Sequence, residues 1–404
     1  IRCPESPLMN LPKLKRVLTD PDEFISNQQL KTLALEVLEL VPMPGIEGSP
    51  LDSGDIMEVV LRAAVGTTSV NGVTTNTAET PNREPVMDWL HTLDKEPMLD
   101  AVNDILALLA MSVLDRDRSR TVCLDFMDNP FHGTPESDNE IRRMAAQDGT
   151  TQCHRYCTAF VIAQGKPLTL AVEPVDGEDS KADAVERVLA RVELYPFDVD
   201  HLLMDRAAYV GEVIGVLRAV APPVFPVKTG KASLREKLAA TASYMTEETI
   251  CEGKEHEQTF PLAVNVTYQN GDRGKSGVKA TGYAAYGLED RTPQQVATVY
   301  DKRSQIEKSY EKFREARALT TAPSPTIRLF YVGVGFLLEQ LWLVLQWAVL
   351  ARPRRGGRAL PRDFTFSDAF LHGIERVLDD DLGWKEKHRT NGEGLPAGYD
   401  HGLG

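Results

Sequence analysis

Apolar and polar positions recur with two different periods along this chain, and the changes of period divide it. Through residues 1–118 the spacing is helical. The segments 28–40 (QQLKTLALEVLEL) and 54–65 (GDIMEVVLRAAV), the second behind Ser53 as its cap, repeat apolar side chains every three to four positions, and PMLDAVNDILALLAMSVL does so again. Between them lies a polar stretch with a Pro-Asn break near 81–85, where short helices fit a helix-turn-helix. From 119 to 230 the period shortens. TVCLDFMD is a β-rich run, and RYCTAFVIAQ and PLTLAVEPV form a hairpin across the Gly-Lys turn at 165–166. Ser180 opens an amphipathic helix through Leu194, VDHLLMDRA is the next strand, YVGEVIGVLRAV a helix and PPVFPVK a short strand. That order packs helices on a mixed sheet, an α/β layer.

Residues 231–292 exceed what such a layer needs and read as an insertion, with a short helix (SLREKLAATASY) and two β-rich runs, FPLAVNVTY and VKATGYAAYGL, around the polar turn QNGDRGKSG. Residues 293–350 return to helical spacing and end on LFYVGVGFLLEQLWLVLQWAVL. That run is long enough to span a bilayer, but Glu339, Gln340 and Gln346 interrupt it, so a helix buried behind the core is expected and no membrane contact. The remainder, 351–404, comprises a basic loop with five Arg among residues 352–362, a short helix and a Gly-rich tail expected to be disordered.

A chain of 404 residues has room for a sizeable core and two or three domains. It opens on Ile with no secretory signal, consistent with a truncated or processed start. Five Cys at 3, 123, 153, 157 and 251 form no disulfide framework, and a reducing cytoplasm is the expected location. Cys153, His154, Cys157 and His132 match no standard zinc spacing, and no P-loop or dinucleotide fingerprint occurs. The net charge of −14 at first argues against nucleic acid as a partner. Only 17 of the 45 basic residues are Lys, however, and a surface rich in Asp and Glu but poor in Lys also suits a chain adapted to concentrated salt, where repulsion from DNA is screened. An ordinary acidic cytoplasmic enzyme fits the composition equally well.

The densest chemistry lies in YDKRSQIEKSYEKFREAR, residues 300–317. On one continuous helix Tyr300, Arg303, Glu307 and Arg314 share an arc of about 60°, with Ile306, Tyr310 and Phe313 as a docking edge beside it. A carboxylate among cations can ligate a divalent metal while its neighbours grip a phosphodiester, or it can be one member of solvated charge pairs. Upstream, Asp125 and Asp205 each end an apolar strand run, where α/β sheets place their ligands; Asp128, Asp198 and Asp200 are nearby rivals.

Tyr, two residues, Arg, three residues, Glu, six residues and a basic residue resembles the Y-R-E-K signature of insertion-sequence DDE transposases, of haloarchaeal type, with Arg314 where the family has Lys. LDFMDNPFHG and LLMDRAAY resemble that family's first and second Asp strands. The resemblance implies a ribonuclease H-like catalytic core in two parts, 119–230 and 293–350, around a β-rich insertion, with the helical region 1–118 reading DNA ends. It implies that Asp125, Asp205 and Glu307 hold two Mg²⁺ ions, Mn²⁺ being an alternative, and that Tyr300, Arg303, Lys308 and Arg314 bind DNA. It further implies terminal inverted repeats and target DNA as partners, and a homodimer in the synaptic complex. The insertion lacks the Trp that holds a flipped base in some members, leaving Tyr268, Tyr283 or Tyr286 to stack instead. A ribonuclease H-like nuclease or resolvase, or a domesticated DNA-binding protein, are the alternatives.

Overall fold

Helical spacing in the first hundred residues folds as expected into α1 (Pro12–Thr19), α2 (Asn27–Leu38), α3 (Ser53–Val65), α4 (Val70–Asn76), α5 (Arg83–His91) and α6 (Lys95–Met111). The computed structural model describes residues 11–20, 25–114, 118–134, 140–163, 166–268, 277–354, 357–359 and 365–384. Part of the expected turns at 165–166 and 269–277, the side chains at 353–364 and the tail from 385 lie outside them. The helix starts are set by reciprocal caps. Ser26 accepts from the Gln29 amide while Gln29 reaches back to the Ser26 amide. The cap of α3 is Asp52 rather than the expected Ser53: its carboxylate takes the Asp55 amide at 3.0 Å and Asp55 returns the bond at 3.0 Å, which places Ser53 inside the helix.

The strands are β1 (Arg120–Pro130), β2 (Arg142–Gln147), β3 (Thr150–Ala163) and β4 (Lys166–Pro174). Then come α7 (Lys181–Val192), β5 (Val199–Met204), α8 (Gly211–Val220), β6 (Pro223–Pro226) and α9 (Ala232–Lys237). After them follow β7 (Tyr244–Ile250), β8 (Gln258–Tyr268) and β9 (Val278–Ala285). All nine form one sheet. β3 pairs with β2 near its start and β4 further along, and from its other edge the order is β1, β5, β6, β9, β8, β7. β1, β5 and β6 run parallel, while β3 is antiparallel to β1 and β9 to β6. Residues 231–292 therefore build no separate layer; they extend the sheet through the pairing of Val224 with Ala285. The helix expected over SLREKLAATASY stops at Lys237, because Tyr244 already begins a strand whose partner Val264 fixes its register.

Behind the sheet run α10 (Pro293–Asp301), α11 (Gln305–Glu315) and α12 (Pro325–Val344), the last continuing through Leu350 as a π-helical turn. Among the described residues α12 is the one helix long and apolar enough to cross a membrane, and its apolar 18-residue stretch is buried inside the protein. Two of its polar side chains are bonded from within, although Gln340 Nε2 and Trp342 Nε1 are buried without a hydrogen-bond partner among the described residues. The Glu339 carboxyl oxygens both lie 2.8 Å from Ser309 Oγ, and Gln340 Oε1 accepts the Thr169 amide at 3.0 Å. Gly335 lets α11 approach, since a Cβ there would stand 2.8 Å from the Phe313 ring, which stacks on Phe336 at 4.5 Å. Finally α13 (His372–Asp381) packs back on α2 and α3, where buried Arg62 pairs with Glu375 at 3.0 Å and Asp379 at 2.6 Å.

Candidate active site

β1 and β5 lie side by side and parallel, with Leu124 opposite Met204. Asp125 and Asp205 are the next residue on each, so the topology sets two carboxylates at one level on neighbouring chains whose backbones are about 5 Å apart. The apolar runs before them supply the anchoring: Val122 to Leu124 and Leu202 to Met204 are fully buried. β1 continues past Asp125, which pairs with Thr158 of β3. β5 instead stops, and the Asp205 carboxylate accepts the Ala207 amide at 2.7 Å to cap a short 3₁₀ turn.

Asp125 is 9% exposed, and burial pushes its carboxyl up to about 6; Arg303 works the other way and the Asp205 charge adds to the rise. The Arg303 Nη2 lies 2.8 Å from Asp125 Oδ1. Burial opposes the Arg303 cation, but Asp125, the Tyr300 phenol and Asp205 more than offset it and its pKa rises. Tyr300 stands at the end of α10, its hydroxyl pushed up to about 12 by burial, and its ring lies 5.2 Å from that of Tyr283. Strand β9 of the inserted segment thus forms one wall of this site. Helix α11 is docked under the same spot, where the Thr158 hydroxyl is 2.6 Å from the Tyr310 hydroxyl and donates to the Asp125 carbonyl at 3.2 Å.

The single helix expected over residues 300–317 is two helices, α10 and α11, joined by a 3₁₀ turn at Lys302–Ser304. Three residues at 120° instead of 100° shift the phase by about 60°, so the expected stripe does not survive. Tyr300 and Arg303 stay with the Asp pair. Glu307 is exposed on the first turn of α11, and among the described residues no three His, Cys, Asp or Glu side chains are grouped closely enough to hold a metal ion. The carboxylates brought together are Asp125 and Asp205, without Glu307. Lys308 falls on another flank, where its charge lowers the pKa of Lys166 and Lys312, each of them depressed first by burial. Arg314 faces a separate cavity beside residues 127–130 of β1.

The rival acids are accounted for. Asp128 is held by Arg155 through bonds of 2.6 and 2.9 Å, and Asp198 and Asp200 lie at the opposite end of β5. Cys153, His154 and Cys157 are buried within β3, and burial pulls His154 down to about 4. Two residues were not read from the sequence in the places the structure gives them, one beside the Asp pair and one at the separate cavity. Tyr283 was named only for base stacking, and Asn129, which accepts from Arg317 Nη1 at 2.5 Å, was not named at all. Its signal was the strand period, since Asn129 is four residues beyond Asp125 on the same face.

No protein-family model and no curated protein matches the sequence. Among solved structures the chain is similar to the piggyBac transposase in its synaptic complex with hairpin DNA, with a TM-score of 0.51 and 11% identity over 96% of this chain and 87% of that one. At that identity the likeness is one of fold: the chain has a transposase-like fold.

Proposed function

We propose that this chain is a DDE-type polynucleotidyl transferase that cuts double-stranded DNA at the ends of a mobile element and joins the freed 3′-hydroxyls to a target, with a homodimer holding the two ends. The observation that carries this reading is the side-by-side placement of Asp125 and Asp205 at the ends of parallel apolar runs in a transposase-like fold. The order β4, β3, β1, β5, β6, three antiparallel strands followed by two parallel ones, supports a ribonuclease H-like core.

The donor chemistry fits a hard divalent cation. Asp125 and Asp205 offer carboxylate oxygens, and the raised pKa of Asp125 shows a buried anion whose charge Asp205 makes harder to keep. Mg²⁺, or Mn²⁺, held there would supply Lewis-acid charge that activates the attacking water or 3′-hydroxyl and stabilises the leaving oxygen. The chain's own groups do the rest. Arg303 neutralises Asp125 and presents a fork suited to a phosphate beside the pair, while Tyr300 and Tyr283 wall the site with aromatic surface. Glu307 is the third carboxylate on the strength of its spacing from Arg303, and it would have to join the pair as DNA and cation bind.

A titration of Mn²⁺ followed by electron paramagnetic resonance, run beside nicking of a plasmid carrying the DNA that flanks the coding region, tests this. Wild-type protein should bind Mn²⁺ and nick, and Asp205→Asn should lose most of both while melting as wild type does. Wild-type protein that binds no Mn²⁺ even with DNA present would overturn the proposal.

A further inference from the structure

Further along β1, three guanidiniums converge on a cavity of about 390 Å³: Arg314 and Arg317 from the end of α11 and Arg328 from the first turns of α12. Each is oriented by groups that carry no charge, where it is bonded at all. Arg317 donates to the Asn129 amide oxygen at 2.5 Å. Arg328, 6% exposed, donates to the carbonyls of Ala322 at 2.8 Å and Thr320 at 3.3 Å and lies 4.8 Å over the Phe131 ring. Among the described residues none of the three makes an ion pair. Two carboxylates do border the cavity. Asp128 is already held by both its oxygens on Arg155, and Asp148 sits exposed on a turn at the rim.

Burying a cation without a counter-charge is costly, and the cost is visible here. Burial pulls Arg317 and Arg328 below the usual guanidinium range, and for Arg317 the charges of Arg314 and Arg328 pull further. A fold that holds Arg317 and Arg328 by neutral partners and sets Arg314 beside them has left their charge for something that binds. The planar forks match the oxygens of a tetrahedral anion, and Phe313 and Leu319 give the cavity apolar wall beyond what an inorganic ion would fill.

We propose that this cavity is a binding pocket for the phosphate group of a nucleotide unit, carried by a DNA strand or by a free nucleotide. Only the DNA source rests on the function proposed above. Asn129, which orients Arg317, is four residues beyond Asp125 on the same face of β1, so the pocket lies about 13 Å along the strand from the acidic pair. A DNA strand crossing that face would therefore present one phosphate to the arginines while another met the carboxylates.

The full-length protein is tested by thermal shift with inorganic phosphate and with deoxyadenosine monophosphate, and by anisotropy with a labelled duplex over a range of salt. Phosphate and the nucleotide should each raise the melting temperature of wild type, and Arg314→Gln and Arg317→Gln should each shift the half-effect to several-fold higher concentration. Arg314 is exposed, so its variant keeps the test valid if the loss of the Arg317–Asn129 bond disturbs folding. For the duplex, each substitution should make the slope of log K against log salt shallower by about one unit. Equal phosphate responses in wild type and both variants, or none in any, would overturn the pocket. Loss of the phosphate response with an unchanged duplex slope assigns the pocket to free nucleotides. Should wild type bind no duplex while phosphate binding still depends on the arginines, the pocket stands and the transposase reading falls.

Discussion

Removing the Arg303 guanidinium strips Asp125 of the cation 2.8 Å from its Oδ1 and leaves a buried carboxylate facing Asp205. The pKa of Asp125 must then rise further, because the lowered contribution of Arg303 is lost while burial and the Asp205 charge remain. Arg303→Ala should therefore destabilise the fold near neutral pH, by up to about 3 kcal/mol, measurable by urea unfolding. If the chain binds DNA as proposed, the same variant should also weaken duplex binding, with a salt slope shallower by about one unit. An Arg303 that served only as an intrahelical partner of Glu307 would cost a few tenths of a kcal/mol and leave DNA affinity alone. Glu307 provides the converse case. Exposed, and without a hydrogen bond or ion pair among the described residues, it should tolerate Gln within about 0.5 kcal/mol, while cleavage falls by orders of magnitude if it is the third ligand. Full cleavage by Glu307→Gln would remove it from the site.

Elements whose apolar period and caps agreed were legible. α2, α6, α7, the β3–β4 hairpin and β5 appear where spacing put them, and Ser180 caps α7 with a box closed by Asp183. Less legible was anything set by a distant partner. β7 exists because β8 pairs with it, β9 joins the sheet because β6 offers an edge, and the 3₁₀ turn that breaks 300–317 follows no Gly or Pro. The two aspartates were legible because each follows a buried apolar run, although β1 continues past Asp125 to Pro130 instead of ending there; Glu307's distance from them depends on helix phase, which spacing alone cannot carry across a change of helix type. For α12 the polar interruptions identified a buried helix, and its Glu339 now yields a pH dependence. Burial pushes this carboxyl up to about 8, against the Ser309 hydroxyl and the Lys312 charge. Since the folded value lies above the ordinary 4.5, the folded chain keeps a proton that the unfolded chain releases. The stabilising contribution is full below about 4.5 and is lost as pH climbs through about 8. Glu339→Gln retains a group that can bond Ser309 and titrates nothing, so the fall of Tm across that interval should flatten; an unchanged slope would show that Glu339 titrates normally.

For the whole molecule the charge of −14 has to be reconciled with the polyanionic partner proposed above. The basic groups are gathered locally: Arg303 at the Asp pair, Arg314, Arg317 and Arg328 around one cavity, and Lys166, Lys308 and Lys312 near one another. Several other cations are spent inside the fold, as where Arg62 joins α3 to α13 and Lys31 joins Glu58 at 2.5 Å and Asp381 at 2.7 Å. What remains on the surface is an excess of carboxylates whose mutual repulsion acts against the compact state. Raising KCl from 0.1 M towards 1 M shortens the screening length from about 10 Å to about 3 Å, which removes most of that repulsion but leaves the buried Arg62 and Lys31 pairs nearly intact. If the acidic surface is an adaptation to salt, Tm should climb steadily over that range, and more steeply than for a neutral protein of this size. The same salt weakens phosphate contacts, so duplex affinity should fall over the range in which stability rises. A Tm indifferent to KCl would mean that the surface charges are already balanced locally, and the acidity would then be that of an ordinary enzyme.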